Sequence, residues 1–393
     1  MRLTSDEIQI ELDDVYACPG ACPGCVLTKS ERKVGVPDMS DATRSKILSL
    51  LPEYIKSLSG LKTVNITYGI ADHLLMPIEY LLQIYEDAAN VFDKVGLPGC
   101  VFMTTSVIGK SETVYKKLDL LAEATEKRSV RLYPIVVLDP AKLEHHKFGT
   151  VYADHIAYAK KRFGVVDLAI NLSTQAIQDI SPEELVEFAM SHGFREVTVN
   201  WVPTVDNVLA TYSPLEIDRL EDWLIDFAIR SEGVGLESSY VPVIQRAYDA
   251  WRCVSDSNDE ESGVGILSVL EKIIPETLKK SIQFDHLGNV FPKWEAVGDV
   301  PHNERVQMKI WGNVEKIKSL KDLIESRMNN SILQAIKAVS VGKCADCVYA
   351  PACASTGFHI YSHVLFNAGF NEKINDRECP HVAKRLWKVL STQ

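Results

Sequence analysis

The sequence predicts an α/β fold, a parallel sheet whose strands are joined by helical crossovers. Runs of strand length recur six times between Ile8 and Val202, each followed by a stretch with apolar residues three or four positions apart. Two of those stretches open on capping-box patterns, Ser181-Pro182-Glu183-Glu184 and Ser213-Pro214-Leu215-Glu216. The first cluster of chemistry-bearing residues falls on the loop after the first strand, the end at which parallel α/β sheets carry their sites.

Taken in order, Ile8–Tyr16 alternates apolar and polar residues and reads as the first strand. A helix is expected over Asp41–Leu58, with Ile47, Leu51, Tyr54 and Leu58 on one face and Pro52 bending or splitting it. The second unit pairs Thr63–Tyr68 with a helix that Pro77 opens and that runs to Val91. Cys100–Thr104 pairs with a helix from Ser111, and Val130–Leu138 with Val151–Phe163, His145 and His146 being placed in the loop between. Val166–Ser173 pairs with the Ser181 helix, closed by Gly193, and Glu196–Val202 with the Ser213 helix. Periodicity alone leaves open whether the sheet is flat or closes into a barrel. The acidic run Ser255–Gly265 reads as an exposed loop, and Phe284–Phe291 as a hairpin turning at Gly288.

Composition narrows the function. The chain has 393 residues, 46% of them hydrophobic, so a sizeable core is available. Its net charge of −11 and lack of a long basic run argue against nucleic acid as partner. No signal-peptide core and no membrane-length apolar run is present, and nine cysteines, seven in two spaced groups, suit metal binding in a reducing compartment. A cytoplasmic protein with no membrane partner is expected.

Cys18, Cys22 and Cys25 stand at C-x3-C-x2-C spacing among two Pro-Gly pairs, a loop that can curl around a compact object and aim three thiolates at it. Such thiolates hold an iron–sulfur cluster or zinc. A second group, Cys344, Cys347, Cys353 and Cys379, can fill every ligand position of a second cluster or of an all-thiolate zinc site, and spacing does not separate the two metals. Cys100 reads as a core residue of the third strand.

On these motifs the chain resembles the radical S-adenosylmethionine (SAM) superfamily, and its C-terminal part resembles the SPASM and twitch extensions of that superfamily. The resemblance implies a partial (β/α)6 barrel over residues 1–230, a helical bridge over 231–280, and a small α+β Fe–S domain over 281–393. It implies that Cys18, Cys22 and Cys25 bind three irons of a 4Fe–4S cluster whose fourth iron takes SAM. It also implies that Cys344, Cys347, Cys353 and Cys379 ligate one auxiliary 4Fe–4S cluster. Lys293 and Gly357 stand where further ligands of a second auxiliary cluster would be.

The superfamily's Gly-Gly-Glu-Pro run is replaced by Gly69-Ile70-Ala71-Asp72-His73, and Gly24 precedes the third cysteine where an aromatic residue is usual. By position, Gly69 and Asp72, then Thr104 and Ser106, Asn171 and Ser173, and Val202 and Pro203 are the implied SAM contacts. Asp72 would accept from the ammonium group. His73 is a candidate proton handler and Cys253 a candidate hydrogen donor, with a helix-entry histidine and an inert thiol as the plain alternatives.

The function so implied is reductive cleavage of SAM to a 5′-deoxyadenosyl radical that abstracts hydrogen from a substrate. The substrate is expected to be a peptide or protein, with a sugar or amino acid as the alternative. A non-catalytic metal-binding or electron-transfer scaffold is a reading of another class. An external electron donor such as flavodoxin or ferredoxin is implied. With the first cysteine at residue 18, no N-terminal peptide-recognition domain is expected, and a separate partner protein would supply recognition.

Overall fold

The computed structural model describes residues 6–18, 37–128, 130–138, 146–172, 176–201, 214–238, 279–292 and 310–328. The predicted alternation is there. It runs β1 (Glu7–Val15), α1 (Asp41–Ser57), β2 (Thr63–Ile70), α2 (Ile78–Val95), β3 (Gly99–Thr105), α3 (Ser111–Arg128) and β4 (Arg131–Leu138). It continues with α4 (His146–Phe163), β5 (Asp167–Leu172), the single turn α5 (Ala176–Asp179), α6 (Pro182–His192), β6 (Glu196–Trp201), α7 (Pro214–Gly233) and β7 (Glu237–Ser238). The Ser181 capping box forms as read, the serine hydroxyl accepting from Glu184 N and the Glu184 carboxylate from Ser181 N. Ser213 lies outside the described residues.

Strands β1 to β7 pair in sequence order, each parallel to the next. Right-handed crossovers in an order that never reverses lay every helix on the same face, so the sheet curls with its helix-free face inward. The two faces differ accordingly. Ile8, Ile10 and Leu12, then Val64, Ile66 and Tyr68, and beyond them Val101, Leu132, Leu168 and Val197, are buried on the helix side. Each such aliphatic side chain stabilises the fold by about 1.5–3 kcal/mol. The alternate positions are largely polar: Gln9, Asn65, Thr67, Gln283, Asp167 and Glu196 lie on the concave face.

Four expectations are corrected. Helix α1 is not split at Pro52, because Leu48, Leu51, Tyr54 and Ile55 are buried on both sides of it and packing holds the helix through the missing hydrogen bond. Helix α2 runs to Val95 rather than Val91, keeping Phe92 buried on its inner face. His146 opens α4 instead of lying in a loop. Cys100 is half-buried at the start of β3, on the row shared with Asn65 and Arg131, rather than in the core.

The hairpin β8 (Ser281–Phe284) and β9 (Asn289–Pro292) forms, with Gly288 at φ +78° in its turn, where a Cβ would stand 2.6 Å from Val314 Cγ2. Asp285 holds that turn, its carboxylate accepting from Leu287 N, Asn289 N and Asn289 Nδ2. What the sequence did not signal is its placement. Strand β8 lies parallel to β1 on the edge opposite β2, so the hairpin and a short β10 (Gly312–Asn313) extend the same sheet to ten strands.

Candidate active site at the strand ends

The carboxyl ends of β1, β2, β3 and β8 converge on one rim, and a β-bulge shapes it. Leu12 pairs with Tyr68 and Val15 with Ile70, so Asp13 and Asp14 together oppose Gly69 alone. Gly69 is required there: a Cβ would stand 2.9 Å from Glu11 Oε1. The bulge sends the two aspartates to different partners. Asp13 accepts from Gln283 Nε2 of β8 at 2.7 Å, while Asp14 turns toward the 3₁₀ turn that follows β2 and toward α2.

Asp14 and His73 are both wholly buried, with Asp14 Oδ1 2.8 Å from His73 Nε2, and Tyr80 of α2 donates its hydroxyl to Asp14 Oδ2. The other ring nitrogen of His73, Nδ1, donates to the Thr104 carbonyl at 3.1 Å. Burial pulls the His73 pKa down, but the Asp14 charge and hydrogen bond outweigh it and the net shift is upward. Burial and then Asp14 push the Tyr80 phenol well above its ordinary value, which keeps it a donor.

Asp72, 2% exposed, accepts from Thr105 Oγ1 at 2.7 Å and from Ser106 Oγ, so it binds the end of β2 to that of β3. Its own N–H bonds the Ala17 carbonyl at 3.1 Å, next to Cys18. Thr104 Oγ1 donates to the Ala71 carbonyl at 2.7 Å. Just beyond, Val107 takes φ +46°, a left-handed conformation uncommon for a β-branched residue. Buried His155 of α4 fixes that turn, Nδ1 donating to the Val107 carbonyl at 2.7 Å while Nε2 meets Ser111 Oγ at 2.9 Å. Lys117 of α3 donates to the Leu74 and Met76 carbonyls at 2.6 and 2.7 Å and secures the 3₁₀ turn His73–Leu75. Its burial lowers its pKa, against the opposing pull of Asp72 and Glu79.

Of the residues singled out by sequence, Cys18, Gly69, Asp72, His73, Thr104 and Ser106 meet on this rim. Cys18 is half-buried where β1 ends. Asn171 is in β5, with only its backbone described. Cys22, Cys25, Ser173, Val202, Pro203, Cys253, Cys344, Cys347, Cys353 and Cys379 lie outside the described residues. Among the described residues no three His, Cys, Asp or Glu side chains group as metal ligands, and no helix is long and apolar enough to cross a membrane.

The sequence reading missed Asp14, Tyr80, Lys117 and Gln283, whose partners are remote in the chain. It also missed His286 of the hairpin, whose Nδ1 lies 3.0 Å from Tyr16 Oη and whose ring meets that ring edge-on at 4.9 Å. The break in alternation at Asp13-Asp14 was the one local signal.

The chain matches no protein-family model and no curated protein. Solved structures do resemble it. "Native anSMEcpe with bound AdoMet" superposes with a TM-score of 0.54 at 12% identity, covering 97% of this chain and 100% of that one. "Native anSMEcpe with bound AdoMet and Cp18Cys peptide" gives 0.54 at 13% identity, over 97% and 99% of the two chains. The same protein with a Kp18Cys peptide gives 0.56 at 12%, over 96% and 99%. At such identity the likeness is one of fold: this chain shares its fold with anSMEcpe, an anaerobic sulfatase-maturating radical SAM enzyme.

Proposed function

We propose that the chain is a radical SAM enzyme that modifies a peptide or protein. One observation carries this reading: the first cysteine of the C-x3-C-x2-C trio, Cys18, stands at the carboxyl end of β1 on a rim built from β1, β2, β3 and β8. The fold is shared with structures of anSMEcpe with bound AdoMet and, in two cases, a Cp18Cys or Kp18Cys peptide. The donor set suits the group, since thiolates are the ligands of iron–sulfur clusters and Cys18 sits where the strand opens to the rim.

In this reading Cys18, Cys22 and Cys25 hold the SAM-binding 4Fe–4S cluster, and Cys344, Cys347, Cys353 and Cys379 hold an auxiliary one. When bound, the cluster and SAM supply reductively triggered hydrogen abstraction, with electrons from an external donor such as flavodoxin or ferredoxin. The chain's own part is orientation. Asp72 keeps lone pairs beyond the two that Thr105 and Ser106 occupy, enough to accept from an ammonium group. Gly69, Thr104, Ser106, Asn171, Ser173, Val202 and Pro203 complete the SAM contacts, and the polar concave face receives the substrate. Cys253 is the proposed hydrogen donor.

Anaerobic reconstitution tests this. About eight irons per chain are expected from two cubane clusters. With SAM and a strong reductant, 5′-deoxyadenosine should form, and Cys22→Ala should abolish it. A Cys-containing peptide should change mass in the same mixture. Zinc in place of iron, with no SAM cleavage, would falsify the reading.

A further inference from the structure

The pair of Asp14 and His73 admits a proton count. Both ring nitrogens of His73 face acceptors, the Thr104 carbonyl at 3.1 Å and Asp14 Oδ1 at 2.8 Å. A carbonyl cannot donate, and the Thr104 hydroxyl, 3.3 Å from Nδ1, gives its hydrogen to the Ala71 carbonyl at 2.7 Å, so Nδ1 carries hydrogen. A second proton must then lie between Nε2 and Oδ1, on one side or the other. Tyr80 donates to the same carboxylate through Oδ2, which favours the anion, and imidazole is the stronger base by more than two units (ordinary pKa about 6.5 against about 3.9).

The other end of Asp14 meets Asp38 and Met39, which follow the cysteine loop in the chain. Its backbone carbonyl accepts from Asp38 N at 2.9 Å and Met39 N at 3.1 Å, where the chain returns from that loop, and Asp38 Oδ2 accepts from Tyr16 N at 2.7 Å. Asp14 therefore joins the chain before and after residues 19–36, the stretch that carries Cys22 and Cys25, and His73 holds Asp14 in place from the 3₁₀ turn after β2.

We propose that His73 is a buried imidazolium paired with the Asp14 carboxylate, and that this ion pair is the positioning element that fixes both ends of the first cysteine loop. His73 thereby acts through Asp14 and is not itself a proton handler for substrate, since its side chain is wholly buried. The upward shift of its pKa agrees.

The charged and titratable groups around it come from five elements. They are Asp14 on β1, Tyr68 on β2 with its ring 6.4 Å away, Asp72 beside it in the chain, Tyr80 on α2, Lys117 on α3, and Arg44 of α1 lying over the Tyr80 ring. Asp14 is the carboxylate that hydrogen-bonds the ring; Asp72 bonds Thr105 and Ser106 instead.

The inference takes its importance from the proposed role of the cysteine loop, yet its test needs neither iron nor SAM. In the full chain labelled at histidine, nitrogen and carbon shifts of His73 at about pH 7.5 should be those of an imidazolium. In Asp14→Asn, whose amide can donate to a neutral ring, they should become those of neutral imidazole. Hydrogen exchange at the Asp38 and Met39 amides should speed up about tenfold in that variant while the β5 amides stay as they are.

A neutral His73 in the parent protein overturns the proposal, as does exchange that is unchanged or uniformly faster. Should Asp14→Asn not fold, His73→Gln reads the same amides with the same expectations. Failure of SAM cleavage with an intact imidazolium and local exchange response would instead strike the functional reading alone.

Discussion

Two carboxylate–cation pairs are tied to the sheet, and they are built differently. Asp14–His73, where β1 and β2 end, has both side chains at 0% exposure and a phenol and a carbonyl closing the remaining valences. Asp167–Arg195 lies where β5 and β6 begin. There the carboxylate is 7% exposed but the guanidinium is 43% exposed, one Nη2 reaching both oxygens at 2.9 and 3.1 Å while the group lies over the Tyr133 ring. Burial pushes Asp167 up to about 6 in spite of Arg195, with Glu196 adding to the rise. The fold thus keeps its dry, fully bonded pair where loop geometry must be set. At the strand starts, a pair that reaches water suffices.

The sharpest way to break this comparison is truncation. Asp14→Ala should cost about 3–5 kcal/mol in urea denaturation, because it leaves a cation and a phenol buried without their acceptor. Asp167→Ala should cost less than half of that, since Arg195 can turn to water; equal losses would erase the distinction. Next in size, Asp72→Ala strands the Thr105 and Ser106 hydroxyls and should cost about 2 kcal/mol, read by the same denaturation.

The two pairs should also titrate apart. For Asp167 the folded value lies above the unfolded one, so the native state binds the extra proton between about pH 4 and pH 6 and stability falls with rising pH there, by about 2 kcal/mol. In Asp167→Asn that slope should vanish. His73 is also raised, so its contribution is whole below the ordinary imidazole value of about 6.5 and is lost only as pH climbs through the higher folded value. Stability of the parent minus His73→Gln, followed against pH, should therefore decline in a later window. Ser181→Ala supplies the scale: this exposed cap should cost about 1 kcal/mol at any pH between them.

Much of the barrel was legible because its strands face a helix layer on one side and a polar interior on the other, which writes alternation into Ile8–Leu12 and Thr63–Tyr68. Caps such as Ser181 are local and read directly. Strand β8 was read only as one arm of a hairpin, since four residues carry no signal of a partner 270 positions earlier. The two-residue β7 left even less. At the rim, Gly69, Asp72, His73, Thr104 and Ser106 were picked out by their distance past each strand. Their bonding was not legible: Asp14 is 59 residues from His73, and the hydroxyls read as ligand contacts include one that Asp72 itself engages.

The placement of β8 bears on how the chain is made. As synthesis proceeds, β1 can pair with β2 after some sixty residues, but its opposite edge stays bare until Ser281–Phe284 leaves the ribosome. An open edge on the first strand is a template for another nascent chain. A chain ending before Ser281 should accordingly self-associate during synthesis, whereas the full sequence seals its oldest edge with one of its youngest strands.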